Sequence, residues 1–148
     1  MDDIGFTGAL IDSLADSYSV NLDRVYSTGM SNGGFMSYTL ACSLSDRIAA
    51  IASVTGTMNV NQSLTCNAQH PMPVLEIHGT ADETVPYNGN AFMEAIPNVI
   101  SYWVDFNNCS ATPQITDVPN VNVTDGCTAV HSLYSGGDNG VDVEHYQV

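Results

Sequence analysis

A five-residue segment, Gly29-Met30-Ser31-Asn32-Gly33, constrains the fold of this chain more than any other feature. A serine with a glycine two residues away on each side fits a tight turn from a strand into a helix. Side chains at the flanking glycines would crowd such a turn, and Gly34 adds further room. Residues 24–28 have the β-branched pattern of a strand, and residues 33–44 predict a helix. An ordinary glycine-rich turn is the alternative interpretation.

The order of the predicted elements indicates an α/β fold with right-handed crossovers. The predicted elements are a helix at 2–18, a strand at 24–28, a helix at 33–44, strands at 49–54 and 74–78, a helix within 90–107, and strands at 114–118, 128–134 and 141–148. Pro97 interrupts the last helix, so we expect it to begin near Asn98. We predict one domain over residues 1–148, with a mostly parallel sheet, helices on both faces and a strand-rich C-terminal third.

Ser31 and Asp82 both follow predicted strands, so both are expected at the carboxyl edge of the sheet, where α/β folds place their sites. The turn would expose the Ser31 hydroxyl as a nucleophile, and the backbone N–H of Asn32 would face a developing oxyanion. Asp82 is the candidate acid that would orient a histidine. Asp82 could instead cap a turn, and Glu83 is the alternative acid.

The catalytic base is the least constrained of the candidate residues, because none of the four histidines has a distinctive context. In this type of fold the chain order is nucleophile, acid, histidine, and His145 lies in the last predicted strand. We therefore take His145 as the candidate base, with His131 as the alternative. His78 ends a buried strand and fits a packing role better, and His70 falls in a polar loop where we expect it to be solvated. We predict no metal site and no cofactor.

The charge balance excludes several classes of partner. The chain has 16 acidic and only two basic residues, giving a net charge of −14. Nucleic acids and anionic membrane surfaces both require a basic face, so neither is an expected partner. No stretch reaches the roughly 20 apolar residues that a membrane-spanning helix needs. The acidity indicates either a solubilising surface or a protein adapted to salt, where counter-ions screen self-repulsion.

Four cysteines, Cys42, Cys66, Cys109 and Cys127, allow three pairings. We favour the local pairs 42–66 and 109–127, since each would close a loop of about 20 residues and add about 3 kcal/mol. Four buried free thiols are the alternative. Disulfides would indicate an oxidising compartment, and we expect a secreted or periplasmic protein. The chain as given carries no signal peptide, because Met1 precedes two aspartates and not a basic segment.

The chain resembles the polyhydroxybutyrate-depolymerase-like esterases, an α/β-hydrolase group that includes feruloyl and acetylxylan esterases. The resemblance implies Ser31 as the nucleophile, Asp82 as the acid, and ester hydrolysis through an acyl-enzyme, usually in secreted proteins. The segments that carry it are residues 2–6, 24–34, 78–82 and 85–87, together with Tyr102-Trp103 and Asn108-Cys109.

The chain departs from this family pattern at both ends. Family members carry an upstream strand with a His-Gly oxyanion motif, and a Gly-Gly-Gly-His-type segment with the catalytic histidine after the last strand. Neither occurs between Met1 and Val148. We therefore expect a partial α/β-hydrolase fold that corresponds to the C-terminal half of such an enzyme. The outer edge of strand 24–28 would then be unpaired, and we expect a homo-oligomer that covers it.

Two hypotheses for function follow. The first is a serine esterase that acts on small-molecule or polymeric esters, of short-chain, polyester or feruloyl type. The second is a catalytically crippled fragment of such an esterase, which folds and self-associates without turnover. The second arises because a serine without its histidine is a weak nucleophile at neutral pH.

Overall fold

A computed structural model describes residues 2–148, which form one six-stranded sheet with three α-helices. The predicted order of helices and strands is confirmed, with boundaries that differ by a few residues. The elements are α1 (Asp3–Ser17), β1 (Tyr26–Met30), α2 (Asn32–Ser43), β2 (Ala50–Val54), β3 (Val74–His78), α3 (Ile96–Phe106), β4 (Gln114–Asp117), β5 (Val130–Tyr134) and β6 (Val143–Gln147). The predicted α/β fold, mostly parallel with a strand-rich last third, is therefore confirmed.

The strand order explains where the helices lie. The order is β1-β2-β3-β6-β5-β4, in which the first four strands are parallel and β5 and β4 follow antiparallel. The parallel strands β1, β2, β3 and β6 follow one another across the sheet in the same order as in the sequence. Right-handed crossovers between strands in this order place the connecting helices on one face. Contacts of α2 and α3 fall on a single face of the sheet. The expectation of helices on both faces was therefore wrong for this part of the chain.

Alternation along the strands separates the two faces. The covered face carries the inward residues of each parallel strand, and Ile51, Val74 and Val143 on it are nearly fully buried. The strand positions between them point the other way, where Tyr26 is 59% exposed and Met30 is 70% exposed. We call the buried side the covered face and the exposed side the open face. β1 is also an edge strand of the sheet, as the sequence predicted for residues 24–28.

Helix α3 supplies the centre of the core. Trp103 has no exposed surface; it stacks on Tyr38 of α2 and makes edge-to-face contacts with Tyr102 and Phe106 of α3. The helix begins at Ile96 with Pro97 in its first turn, and not near Asn98 as expected. Proline is compatible with the first turn because the N–H groups there have no helical partner to lose.

One of the two predicted disulfides is present. Cys42 at the end of α2 is bonded to Cys66 in the loop before β3. The predicted pair 109–127 was wrong, since both of these thiols are free. Cys109 lies next to the start of β4, and Cys127 lies in the loop that joins β4 to β5, at the opposite end of the hairpin. A strand of four or five residues spans about 15 Å, which a disulfide cannot bridge.

No helix among residues 2–148 combines the length and the apolar character required to cross a lipid bilayer.

Candidate active site

The turn at Ser31 is tight and conformationally strained. Ser31 has φ 54° and ψ −118°, a left-handed conformation that costs energy for a residue with a side chain. Its backbone N–H is bonded to the Val54 carbonyl at 2.9 Å, which fixes the turn against β2. A Cβ added at Gly29 would lie 2.5 Å from the Gly33 backbone, so the chain can double back only with glycine at position 29. The strand–serine–helix context predicted from the sequence is therefore observed.

The second glycine with a steric role is not the one expected. Gly33 has open space where a Cβ would stand, whereas a Cβ on Gly34 would lie 2.5 Å from Ser53 Oγ and 2.8 Å from Gly56 Cα. Gly34 allows the first turn of α2 to approach the loop after β2. The expected steric requirement for glycine at position 33 is therefore not observed. Gly34 is the residue at which close packing excludes a side chain.

Asn32 is the first residue of α2, directly after the strained serine. Amide groups in the first helical turn have no acceptor within the helix, and the positive end of the helix dipole lies there. No backbone carbonyl among the described residues accepts from the Asn32 N–H. The predicted oxyanion donor is thus a free N–H group beside the Ser31 side chain.

Asp82 lies in the loop after β3, and its two carboxylate oxygens have different surroundings. Oδ1 accepts hydrogen bonds from the N–H groups of Thr84 at 2.8 Å and Val85 at 2.9 Å. The bond from Val85 is the largest cause of a lowered pKa of Asp82; burial opposes it, and the bond from Thr84 and the charge of His78 lower the pKa further. Oδ2 accepts no hydrogen bond from the described residues. Asp82 therefore caps a turn, as one interpretation of the sequence held, and still has one oxygen free.

Ser31 and Asp82 lie at the same carboxyl edge of the sheet, after β1 and β3, with β2 between them. Two strand spacings separate the strands by about 10 Å. Thr55, which follows β2 between the two residues, is a second non-glycine residue with positive φ, 49°. A cavity of about 500 Å³ adjoins Thr55 and Asp82 and extends to Val148. The two candidate residues share one edge but make no hydrogen bond to each other.

The candidate base His145 lies on β6 and points into the covered face. It is only 6% exposed, stacks on Tyr87 at 5.8 Å between ring centroids, and has no hydrogen-bond partner for Nε2. Burial, followed by the charge of His78, lowers the pKa of His145 from 6.5 to about 4. The ring makes no hydrogen bond with Ser31 or Asp82, so the structure does not bring these three side chains together.

The other three histidines have separate partners. His131 lies on the open face, bonded to Glu144 at 2.9 Å and stacked on Tyr146 at 4.3 Å. His70 was expected in solvent, but both of its ring nitrogens contact backbone carbonyls, those of Ser45 and Pro71. It lies before β3, at the edge of the sheet away from Ser31. His78 is fully buried, as its position at the end of a buried strand suggested.

Sequence reasoning missed a set of buried polar residues beneath the site. Glu76 of β3 has no exposed surface and contacts both Tyr38 and His78. A signal was present, because Glu76 is a charged residue inside the buried strand Val74–His78, and such residues are seldom buried without partners. No group of three His, Cys, Asp or Glu side chains within residues 2–148 could hold a metal ion.

A strained serine between strand and helix, with an acid after a later strand at the same edge, defines a site of the α/β-hydrolase class. The family model described as phospholipase/carboxylesterase matches residues 4–118. The chain therefore belongs to this family of esterase α/β-hydrolases.

Individual relatives agree with the family. The chain is 32% identical over 125 residues to feruloyl esterase B of Piromyces equi, covering 76% of this chain and 23% of that protein. It is 27% identical to the bifunctional acetylxylan esterase/xylanase XynS20E of Neocallimastix patriciarum, over 99% of this chain and 20% of that protein. The predicted resemblance to feruloyl and acetylxylan esterases is confirmed. The chain spans about a fifth to a quarter of the length of these two relatives.

A solved structure described as a thermostable esterase has the same fold. It matches with a TM-score of 0.58 and 20% identity, over 72% of this chain and 26% of that one.

Proposed function

We propose that this chain carries the nucleophile and the acid of a carboxylic ester hydrolase. The observation that carries the proposal is the backbone of Ser31, which is held in a strained conformation next to a free N–H of Asn32. Strain of this kind persists where the surrounding structure fixes it and is concentrated at functional sites. The family membership supports the same activity.

In the proposed reaction the Ser31 hydroxyl attacks the ester carbonyl and transfers its proton to a histidine. The Asn32 N–H donates to the oxyanion, the histidine returns the proton to the departing alcohol, and an acyl-enzyme remains. Water then attacks this ester by the same steps and releases the acid. Asp82 accepts from the histidine through Oδ2, the oxygen that the turn leaves free. An imidazole ring above the end of β2 would lie between Ser31 and Asp82, whose strands are about 10 Å apart.

His145 is our candidate for that histidine within this sequence. Burial lowers its pKa to about 4, which keeps the ring neutral at pH 7 but makes it a weak proton acceptor where it lies. In this role the ring would have to leave its buried position against Tyr87 and turn towards the carboxyl edge. His131 is the second candidate, and it would have to come from the open face or from a second copy of the chain.

The proposed substrates are neutral esters, of short-chain, polyester or feruloyl type, either as small molecules or within a polymer. The names of the relatives favour feruloyl and acetyl esters. A net charge of −14 disfavours bulky anionic substrates, nucleic acids and anionic membranes. We also propose a secreted or periplasmic location, for which the Cys42–Cys66 disulfide is the supporting observation.

Hydrolysis of p-nitrophenyl acetate and butyrate tests the proposal. Ser31→Ala should reduce the rate to the background, while Ser43→Ala, an exposed serine at the other end of α2, should retain the wild-type rate. His145→Ala and His131→Ala identify the base, because the variant that loses activity lacks it. Equal rates for wild type and Ser31→Ala would contradict the proposal and establish the fragment without turnover, the alternative that the family match does not favour.

We further propose that β1 pairs with a second copy of the chain. β1 is an edge strand, and Tyr26 and Met30 on it are mostly exposed. Unpaired strand edges offer free N–H and C=O groups to other strands. Light scattering at micromolar concentration should give the mass of a dimer or a larger oligomer. A monodisperse monomer would refute this part of the proposal.

A further inference from the structure

A network of hydrogen-bonded, buried polar side chains lies in the core directly beneath the carboxyl edge of the sheet. Tyr38 Oη donates to Glu76 Oε2 at 2.8 Å, and Glu76 Oε1 lies 2.9 Å from His78 Nδ1. His78 Nε2 lies 2.8 Å from the carbonyl oxygen of Val85. Tyr38, Glu76 and His78 have no exposed surface. A buried carboxylate and imidazole are costly unless every polar atom has a partner, and here each contact is satisfied.

The partners of His78 determine which ring nitrogens carry hydrogen. The Val85 carbonyl can only accept, so Nε2 must be protonated. Nδ1 faces a carboxylate oxygen, with which it shares a second proton. Burial lowers the pKa of His78, but the bonds to Glu76 and Val85 outweigh it and the net pKa is raised. Burial also raises the pKa of Glu76. Both shifts favour a proton held between His78 Nδ1 and Glu76 Oε1.

At one end of this hydrogen-bond network, Val85 fixes the turn that contains Asp82. Val85 is bound on both sides, because its carbonyl accepts from His78 and its N–H donates to Asp82 Oδ1. Its side chain is also buried, at 3% exposure. With Val85 fixed, Asp82 Oδ1 is directed into the turn, and Oδ2 lies 3.8 Å from His78 Nε2 without a hydrogen bond.

The other end of this hydrogen-bond network is on α2, the helix that directly follows Ser31. Tyr38 lies on α2, two turns after the strained serine. The hydrogen bonds from Tyr38 through Glu76 and His78 to Val85 therefore connect the element that positions Ser31 with the loop that positions Asp82. No other side-chain path among the described residues joins these two elements by hydrogen bonds.

We propose that Glu76 and His78 are positioning residues that fix the Val85 peptide and thereby orient the Asp82 carboxylate. This inference rests on the proposed role of Asp82. His78 touches neither Ser31 nor a substrate position, and it acts only through Val85 and Asp82.

Nuclear magnetic resonance tests the inference without requiring turnover. In His78→Asn the amide protons of Thr84 and Val85 should exchange roughly tenfold faster, because the turn loses its anchor. The Asp82 carboxyl, followed by its 13C shift, should titrate at a higher pKa than in wild type. Glu144→Gln is the matched control, since it alters a histidine–glutamate contact of the same 2.9 Å on the open face and is not itself a candidate site residue. It should leave both readouts unchanged.

Glu76→Gln keeps the shape of the side chain and removes the shared proton, so it should shift Asp82 in the same direction. Wild-type exchange and Asp82 titration in both variants would overturn the inference. If His78→Asn does not fold, Glu76→Gln decides, together with the 15N shifts of His78 in the wild-type protein. A His78 ring whose Nε2 carries no proton at pH 7 would also overturn it.

Esterase assays separate this inference from the proposed function. If hydrolysis depends on Ser31, His78→Asn should lower kcat more than it raises KM, because only the acid is displaced. If wild type and Ser31→Ala hydrolyse equally, the proposed function fails, while the amide exchange and carboxyl titration still decide whether Glu76 and His78 hold the Asp82 turn.

Discussion

The two faces of the sheet each carry a histidine–glutamate pair, and the pairs have the same contact distance but different surroundings. On the covered face His78 and Glu76 are 2.9 Å apart and have no exposed side-chain surface. On the open face His131 and Glu144 are also 2.9 Å apart, but their side chains are 21% and 40% exposed. Water screens the second pair and can replace either partner, whereas nothing replaces a partner lost from the first. The two pairs should therefore contribute differently to the free energy of unfolding, although their contact distances are equal.

The same contrast extends over the whole sheet. The covered face packs Tyr38 and Trp103 against the strands, and its polar atoms are mostly paired within the protein. The open face forms a shallow groove of about 640 Å³ between Tyr26 on β1 and Glu144 on β6. This groove is the larger cavity, but it lies away from the carboxyl edge where Ser31 and Asp82 stand. Size alone would place the candidate site on the open face and not at the carboxyl edge.

The largest expected effect comes from removing one glutamate from each pair. Glu76→Ala leaves His78 buried beside an empty site and should lower the free energy of unfolding by about 3–5 kcal/mol. Glu144→Ala exposes His131 to water and should cost less than about 1 kcal/mol. Urea unfolding followed by tryptophan fluorescence measures both, since Trp103 is fully buried. Similar losses for the two variants would show that the faces do not differ in effective dielectric.

The sequence predicted the fold well because strand and helix periodicities, turn glycines and element order are local features. The turn at Ser31 and the loop at Asp82 were predicted for the same reason. The bond between Tyr38 and Glu76 spans 38 residues, and no local pattern reveals it. The arrangement of helices on one face depended on strand order, which the sequence does not state. The pairing of Cys109 with Cys127 failed because a suitable spacing along the chain does not imply proximity across a hairpin.

The pH dependence of stability should also report the burial of a histidine on the covered face. The pKa of His145 falls from 6.5 to about 4 on folding, mainly through burial. Between these pH values the unfolded chain binds a proton that the folded chain does not. This contribution therefore leaves stability intact above pH 6.5 and lowers it progressively as pH falls to 4, by about 3 kcal/mol in all.

Urea unfolding at pH 7 and pH 4 measures this contribution. His145→Gln should reduce the loss of stability between the two pH values by about 3 kcal/mol relative to wild type. The comparison uses differences between pH values, so a constant effect of the substitution on packing cancels. An unchanged pH difference in His145→Gln would mean that the ring is protonated within the fold or reaches solvent.

The smallest expected effect on stability comes from adding a methyl group at two adjacent glycines, Gly34 in a filled space and Gly33 in an open one. A Cβ at Gly34 would lie 2.5 Å from Ser53 Oγ and 2.8 Å from Gly56 Cα, whereas one at Gly33 meets nothing within 4 Å. Gly34→Ala should therefore cost about 1–3 kcal/mol through overpacking. Gly33→Ala should be neutral or stabilise α2 by about 0.5–1 kcal/mol, because alanine loses less entropy in a helix. Thermal unfolding of both variants measures the difference. A loss for Gly33→Ala equal to that for Gly34→Ala would mean that the space beside Gly33 is occupied in solution, and the turn at Ser31 would then have a second packing partner.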